Sequence, residues 1–198
     1  MSTIHSRMLF TTTASIIFCC ITGCGRYQAP EPPEYFAPRG VQDFAVKTSV
    51  EGVTISWQSP HEDQRGRELT SLDGYRLLRK NIARPADIFD ASIEYEELAF
   101  LEDLSVFERE RLRDQAKADG RISRRIQAPL EKEKFHYLDS TVLPGNSYVY
   151  KLIPINQGRT EGRAAPLVRV AFRGEQSQVR MVTSHTLEDL EADPETGV

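Results

Sequence analysis

The chain has 198 residues, 39% hydrophobic and 9% aromatic, which is room and apolar content for one globular domain with attachments and excludes disorder throughout. Its formal net charge of −4 excludes the strongly basic footprint expected of a nucleic-acid-binding domain. All three cysteines fall between positions 19 and 24, so no disulfide framework can hold the remainder.

Residues 1–23 read as a signal peptide. Met1 to Met8 contains Arg7 and no acid, and residues 9–23 form a mostly apolar stretch diluted by Thr11, Thr12, Thr13 and Ser15, which is a short hydrophobic region behind a cationic start. A spanning helix needs roughly 20 apolar residues, and the prolines that follow cannot prolong this one. Cys19 and Cys20 lie inside the apolar run and behave there as small hydrophobes. Cys24 has no second ligand pair at a useful spacing for structural zinc, which takes four ligands. The tetrapeptide Ile21, Thr22, Gly23, Cys24 resembles the lipobox of bacterial lipoproteins, with isoleucine where leucine is commonest. That resemblance implies cleavage between Gly23 and Cys24 and acylation of Cys24 by fatty chains such as palmitate. Gly25, where an aspartate is absent, implies the outer membrane, with the domain facing the periplasm.

Residues 24–38 follow as the lipidated cysteine and a Pro-rich spacer. Pro30, Pro32, Pro33 and Pro38 predict an extended, semi-rigid segment at ~3.1 Å per residue.

From Gly40 the pattern becomes short alternating strands. Val41, Phe44 and Val46 predict a first strand, and Val53, Ile55 and Trp57 alternate with Thr54 and Ser56, the signature of a half-buried second strand. Pro60 ends it. Asp73 and Gly74 turn the chain into a third strand from Tyr75 through Lys80. Later, Leu143, Pro144, Gly145 and Asn146 have the proline and glycine that a type II turn requires. Tyr148, Tyr150 and Leu152 alternate beyond it, and Val168, Val170 and Phe172 predict a last strand. The order VTISW, LDGYRLLR, LPGNSYVYKLIPINQG, PLVRVAF resembles a fibronectin type III domain, an all-β, immunoglobulin-like sandwich of seven strands, over residues 39–172. The resemblance makes Trp57 the core tryptophan of the second strand and Tyr75 the aromatic that opens the third. It also makes Tyr148 a tyrosine corner, whose hydroxyl bonds to upstream backbone, and has Asn156 and Gly158 close the sixth strand. Pro154 departs from the pattern, because a missing amide inside a strand breaks a ladder bond unless it lies at a bulge or on an unpaired side.

A long, mainly helical insertion, about 81–134, separates the third and fifth strands. Leu98 to Leu101 predicts an edge strand. Asp103 to Ala118 lacks proline and glycine, and Gly120 stands where a C-cap is expected. Leu104, Phe107, Leu112 and Ala116 give an apolar stripe. Between Phe107 and Ile126 there are seven basic and four acidic residues, a net +3 in an acidic protein. Arg121, Arg124 and Arg125 are therefore candidates for docking a partner. The alternative is a solvated helix laced with ion pairs.

Catalytic patterns are sparse. His61, His136 and His185 belong to no metal-binding spacing, and His61, Glu62 and Asp63 are adjacent on a loop. There is no G-x-S-x-G, phosphate-binding loop or dinucleotide fingerprint, so neither an enzyme nor a cofactor is expected. Residues 173–198 read as an acidic, disordered tail, with Val179, Met181 and Val182 forming a short strand ahead of its acids.

The function expected from these features is that of a lipid-anchored envelope lipoprotein acting as a protein-interaction or structural module. A second reading is an accessory subunit of an envelope enzyme or export machine that positions a polysaccharide or peptidoglycan. The expected partners are the membrane, through the lipid, and an envelope protein, with glycan as the second class and no nucleic acid.

Overall fold

The computed structural model describes residues 30–156 and 158–182. The expected signal segment, Gly23, Cys24, Gln157 and the acids beyond 182 lie outside the described residues. Alternation builds the smaller sheet. In β2 (Gly52–Gln58), Val53, Ile55 and Trp57 are buried. β1 (Gln42–Ser49) and β5 (Lys134–Asp139) flank it antiparallel, with a bulge in β1 between Gln42 and Ala45. The larger sheet has the order β4 (Glu96–Glu102), β3 (Gly74–Ile82), β6 (Ser147–Ile155), β7 (Leu167–Ala171), β8 (Gln178–Val182), all antiparallel. This two-sheet order is a fibronectin type III-like sandwich, as expected, with β4 inside the insertion and β8 added at the far edge. The domain therefore continues past Phe172 to Val182.

One core lies between the sheets. Val53, Ile55 and Trp57 on one side meet Tyr75, Leu77, Tyr150, Leu152, Val168 and Val170 on the other. Trp57 stands edge-on to Tyr75 at 5.2 Å and stacks on Phe135 at 5.7 Å. Such pairs contribute roughly 0.5–1.5 kcal/mol each beyond area burial.

Buried polar groups join the sheets. Asp139 at the end of β5 is 1% exposed and accepts from Arg79 Nη1 of β3 at 2.7 Å and from Tyr150 Oη of β6 at 2.8 Å. It also accepts from the Thr141 amide at 3.0 Å and hydroxyl at 2.7 Å. Burial works against its charge, and the bonds from Thr141, Tyr150 and Arg79 outweigh it, holding the carboxyl below its usual value. Burial and the Asp139 charge push the Tyr150 phenol up.

The type II turn forms as expected, with the Asn146 amide donating to the Leu143 carbonyl at 3.2 Å and Gly145 at φ 92°. Just beyond it Tyr148, 4% exposed, accepts from the Leu143 amide at 2.9 Å, which is the expected corner. Pro154 causes no break. Its carbonyl accepts from the Gly162 amide, so its nitrogen faces that same edge, beyond the last β7 partner of β6 at Tyr150.

The end of the expected spacer is a correction. Pro33–Phe36 is a 3-10 turn and Ala37 and Pro38 are buried, because this strap is bound to two loops, the β2–β3 and β6–β7 connections. Gln64 donates through its amide to the Ala37 carbonyl and through Nε2 to that of Pro38, Arg163 also donates to Pro38, and Asn156 Nδ2 donates to the Phe36 carbonyl. Arg65 and Arg67 stack over the rings of Tyr35 and Phe36 at 5.1 and 5.2 Å. Composition alone cannot reveal such long-range partners, so the proline-rich stretch read as free.

Candidate partner-binding face

The insertion contains more structure than one helix. Residues after β3 pass through a 3-10 turn, Pro85–Phe89, which lays Ile88 and, further on, Tyr95 over the outer face of the larger sheet against Ile82, Val149 and Val182. β4 then pairs with β3, close enough at Gly74 that a Cβ there would stand 2.2 Å from the Leu101 carbonyl oxygen.

The helix α1 (Ser105–Ala118) starts from a buried carboxylate. Asp103, 2% exposed, accepts from the Ser105 amide at 2.7 Å, from Ser59 Oγ at 2.6 Å and from Tyr75 Oη at 2.5 Å. One side chain thus satisfies an orphan amide of the first turn and ties it to the end of β2 and the start of β3. Burial, with the Asp103 charge, pushes the Tyr75 phenol up. At the other end the Gly120 amide donates to Lys117 and the Arg121 amide to Ala116, the pair of bonds that closes a Schellman cap.

The buried face of α1 differs from the expected stripe. Leu104 and Phe107 are 56% and 67% exposed, whereas Val106, Arg109 and Ala116 are buried. Arg109 reaches the Leu69 carbonyl at 2.5 Å and lies 3.4 Å from Glu68 and 3.2 Å from Glu110. Arg113 grips Glu68 with two bonds of 2.6 and 3.0 Å and donates Nε to the Ile126 carbonyl. Hydrogen bonds from Arg113 hold the Glu68 carboxyl below its usual value despite partial burial. These arginines fasten the helix to the loop at Glu68 and Leu69.

Most of the positive excess is therefore spent internally. Arg111 pairs with Glu108, Lys117 with Asp114 and Arg121 with Asp119, the i to i+3 spacing accounting for the first two. Arg124 and Arg125, on the 3-10 turn Ser123–Arg125, are exposed and make no ion pair among the described residues. With Arg121, 59% exposed at its side chain, they are what the expected basic cluster presents outward. The insertion also exposes Phe89, Phe100, Leu104, Phe107, Ile122 and Leu130, six of the thirteen large exposed hydrophobics among the described residues.

His61, Glu62 and Asp63 do not converge. His61 Nε2 lies 3.3 Å from Glu133 Oε2, Glu62 pairs with Arg39, and buried Asp63 accepts from the amides of Arg65 and Arg67. No group of three potential ligands that could hold a metal occurs among the described residues. Cys24 and Gly23 fall outside them. Sequence reading passed over Asp103 as an anchor, although an acid two residues before a helix is a start signal. Arg109 and Glu133, both buried, gave no signal.

No family model and no curated protein matches the chain. Among solved structures it is similar to the twitchin kinase region from C. elegans, at 12% identity over 72% of this chain with a TM-score of 0.38, and spans only 18% of that chain's length. It is also similar to the third fibronectin III domain of the human KIAA0343 protein, at 12% identity over 80% of this chain and 100% of that one, TM-score 0.36. A myokine structure is similar at 8% identity over 71% of this chain and 100% of that one, TM-score 0.34.

Proposed function

We propose that this chain is a lipid-anchored lipoprotein of the bacterial envelope whose sandwich is a protein-interaction module, with the insertion as its docking face. The observation that carries the reading is the way the insertion is held. Asp103 and Arg109 hold α1 through buried bonds to Tyr75 and to the Leu69 carbonyl, and Arg113 holds it through a more exposed pair with Glu68, while Leu104, Phe107, Ile122 and Leu130 and the arginines Arg124 and Arg125 remain exposed on the same insertion. Exposed apolar side chains and arginines are residue types enriched at protein interfaces. A rigid scaffold presenting them on a long connection is where binding residues concentrate. The anchor rests on the Ile21 to Cys24 lipobox and on the outer-membrane expectation from Gly25.

Photo-cross-linking in cells from Phe107 tests the docking face. Capture of one discrete protein, lost when Arg121, Arg124 and Arg125 are changed to glutamate without loss of folding, is the expected result. Capture of glycan, or no capture, overturns it. Cys24→Ser tests the anchor separately: it should abolish acylation and leave a larger precursor.

A further inference from the structure

The insertion returns to the sandwich through a buried carboxylate. Glu133 closes the helical turn Leu130–Glu133 just ahead of β5 and is buried there. Its carbonyl accepts from the Ser59 amide at 2.9 Å, which fixes the backbone, and its Oε2 lies 3.3 Å from His61 Nε2. Among the described residues no other side chain bonds to this carboxylate. A buried carboxylate is stable only with a paired charge or a full set of hydrogen bonds. His61 supplies a charge in one of its two protonation states, and imidazole is the side chain that ordinarily changes charge between pH 5 and 8. Its ring is partly exposed, so solvent protons reach it.

The other charges around His61 come from its own loop, from α1 and from the returning turn. Glu62 is paired with Arg39 at 2.7 Å. Glu68 lines one shallow cavity with His61 and Arg109, and the His61 charge is among those that act on its carboxyl. Arg109 opposes a charge on His61 but lies 3.4 Å from Glu68 and 3.2 Å from Glu110, and Arg113 is bound to Glu68. Glu131 and Lys132 are exposed on the turn itself. The contact that protonation of His61 changes most is therefore the one to Glu133. We propose that His61 and Glu133 form a pH-operated clasp, in which the imidazolium fastens the returning limb of the insertion to the loop after β2 and the neutral ring releases it. Protonated, the pair is charge-assisted on both sides. Neutral, the ring offers at best one ordinary N–H bond and leaves the carboxylate charge uncompensated. The limb is fastened below the His61 titration and loosens as pH rises through it. Leu130, exposed on that limb, belongs to the docking face, so the clasp sets how firmly that face is held; this last link alone rests on the docking reading.

Amide hydrogen exchange of the full chain by NMR tests the clasp without any partner. The reporter is the Ser59 amide, protected by the Glu133 carbonyl, and the His61 Cε1 proton is titrated in the same samples. Corrected for the intrinsic rate, Ser59 protection should fall about tenfold between about pH 5.5 and 8, the step from a charge-assisted to a neutral bond, with the midpoint of the His61 ring. The Asn146 amide, bonded to the Leu143 carbonyl, should stay level. His61→Gln should remove the dependence, and His61→Lys should keep Ser59 protected throughout. His136→Gln, at an exposed position of β5, should change nothing. Level protection in the unaltered chain, a dependence that survives His61→Gln, or a midpoint that follows His136 overturns the proposal. The unaltered chain decides the matter even where a variant fails to fold. Cross-linking from Phe107, repeated at both ends of the pH range, separates the two readings: no capture at either end, with a pH-dependent Ser59 amide, removes the docking face and leaves the clasp standing.

Discussion

Asp139→Asn isolates the polar link between the sheets. The substitution keeps the volume, removes the charge and replaces one acceptor by a donor. With Oδ1 still serving Thr141, the new amide faces the Tyr150 hydroxyl, which can rotate to accept, and Arg79 Nη1, which cannot. Arg79 keeps Glu96 at 2.9 Å and its place over the Tyr148 ring but loses a charge-assisted bond to a buried partner, its own side chain being partly exposed. Such a bond contributes about 1.5–3 kcal/mol, and breaking a buried ion pair costs about 3–5 kcal/mol. The retained Glu96 contact places the expected loss near 3 kcal/mol. For a chain of this length that is roughly 6–12 °C in Tm, measurable by circular dichroism. The pH dependence supplies a second reading. Because the folded Asp139 pKa lies below its unfolded value, the unfolded chain binds more protons between the two, and stability rises with pH there. The contribution is complete above the unfolded pKa and is lost as pH falls through the folded one. The gap between wild type and Asp139→Asn should therefore be constant from pH 5 to 7, to be read by denaturant titration, and close below about pH 4. A loss under 1 kcal/mol at pH 7, or a gap that persists in acid, would refute the reasoning.

Tyr148→Phe should cost about 1–2 kcal/mol by denaturant midpoint, since the Leu143 amide and Asn146 lose their acceptor while the ring beneath Arg79 remains. Gly74→Ala should destabilise by about 2–4 kcal/mol, because its Cβ meets the Leu101 carbonyl at 2.2 Å and β3 must separate from β4; unchanged hydrogen exchange in β4 would contradict this. Tyr75 and Tyr150, both raised by burial, keep their protons in the folded state after the unfolded chain has released them. Their contribution is thus complete below pH ~10 and should fall above it by about 2.7 kcal/mol per pH unit, twice the single-proton slope. Tyr150→Phe should lower the measured slope by about 1.4 kcal/mol per pH unit, the share of one proton.

The parts of the fold legible in the sequence are those specified by neighbours along the chain. Val53, Ile55 and Trp57 alternate within one strand, and Leu143 to Tyr148 holds a turn and the hydroxyl that braces it within six residues. The helix span was equally readable from the absence of proline and glycine between Asp103 and Ala118. Its buried face was not, because two inward positions are Arg109 and Arg113, and apolar periodicity cannot register a face whose contacts are carbonyls and Glu68. The link from Asp139 reaches Tyr150 eleven residues on but Arg79 sixty residues back, so no local pattern marks it. At the candidate face, charge counting found Arg124 and Arg125 but credited α1 with cations that are bound to its own acids and to Glu68.

The strap at Pro33–Pro38 also decides how the domain bears load. A pull arriving from the amino-terminal side meets the strap before it meets β1, and the strap's bonds run to two loops, one at Gln64 and one holding Asn156 and Arg163, rather than to one neighbour. Tension is thereby shared among loops that connect with both sheets and does not unzip β1 from β2 one rung at a time. Only when those bonds have yielded, freeing about 20 Å of chain at the extended length of six residues, does the edge strand feel the force. The strap behaves as a mechanical fuse that lengthens under strain while the core stays shut.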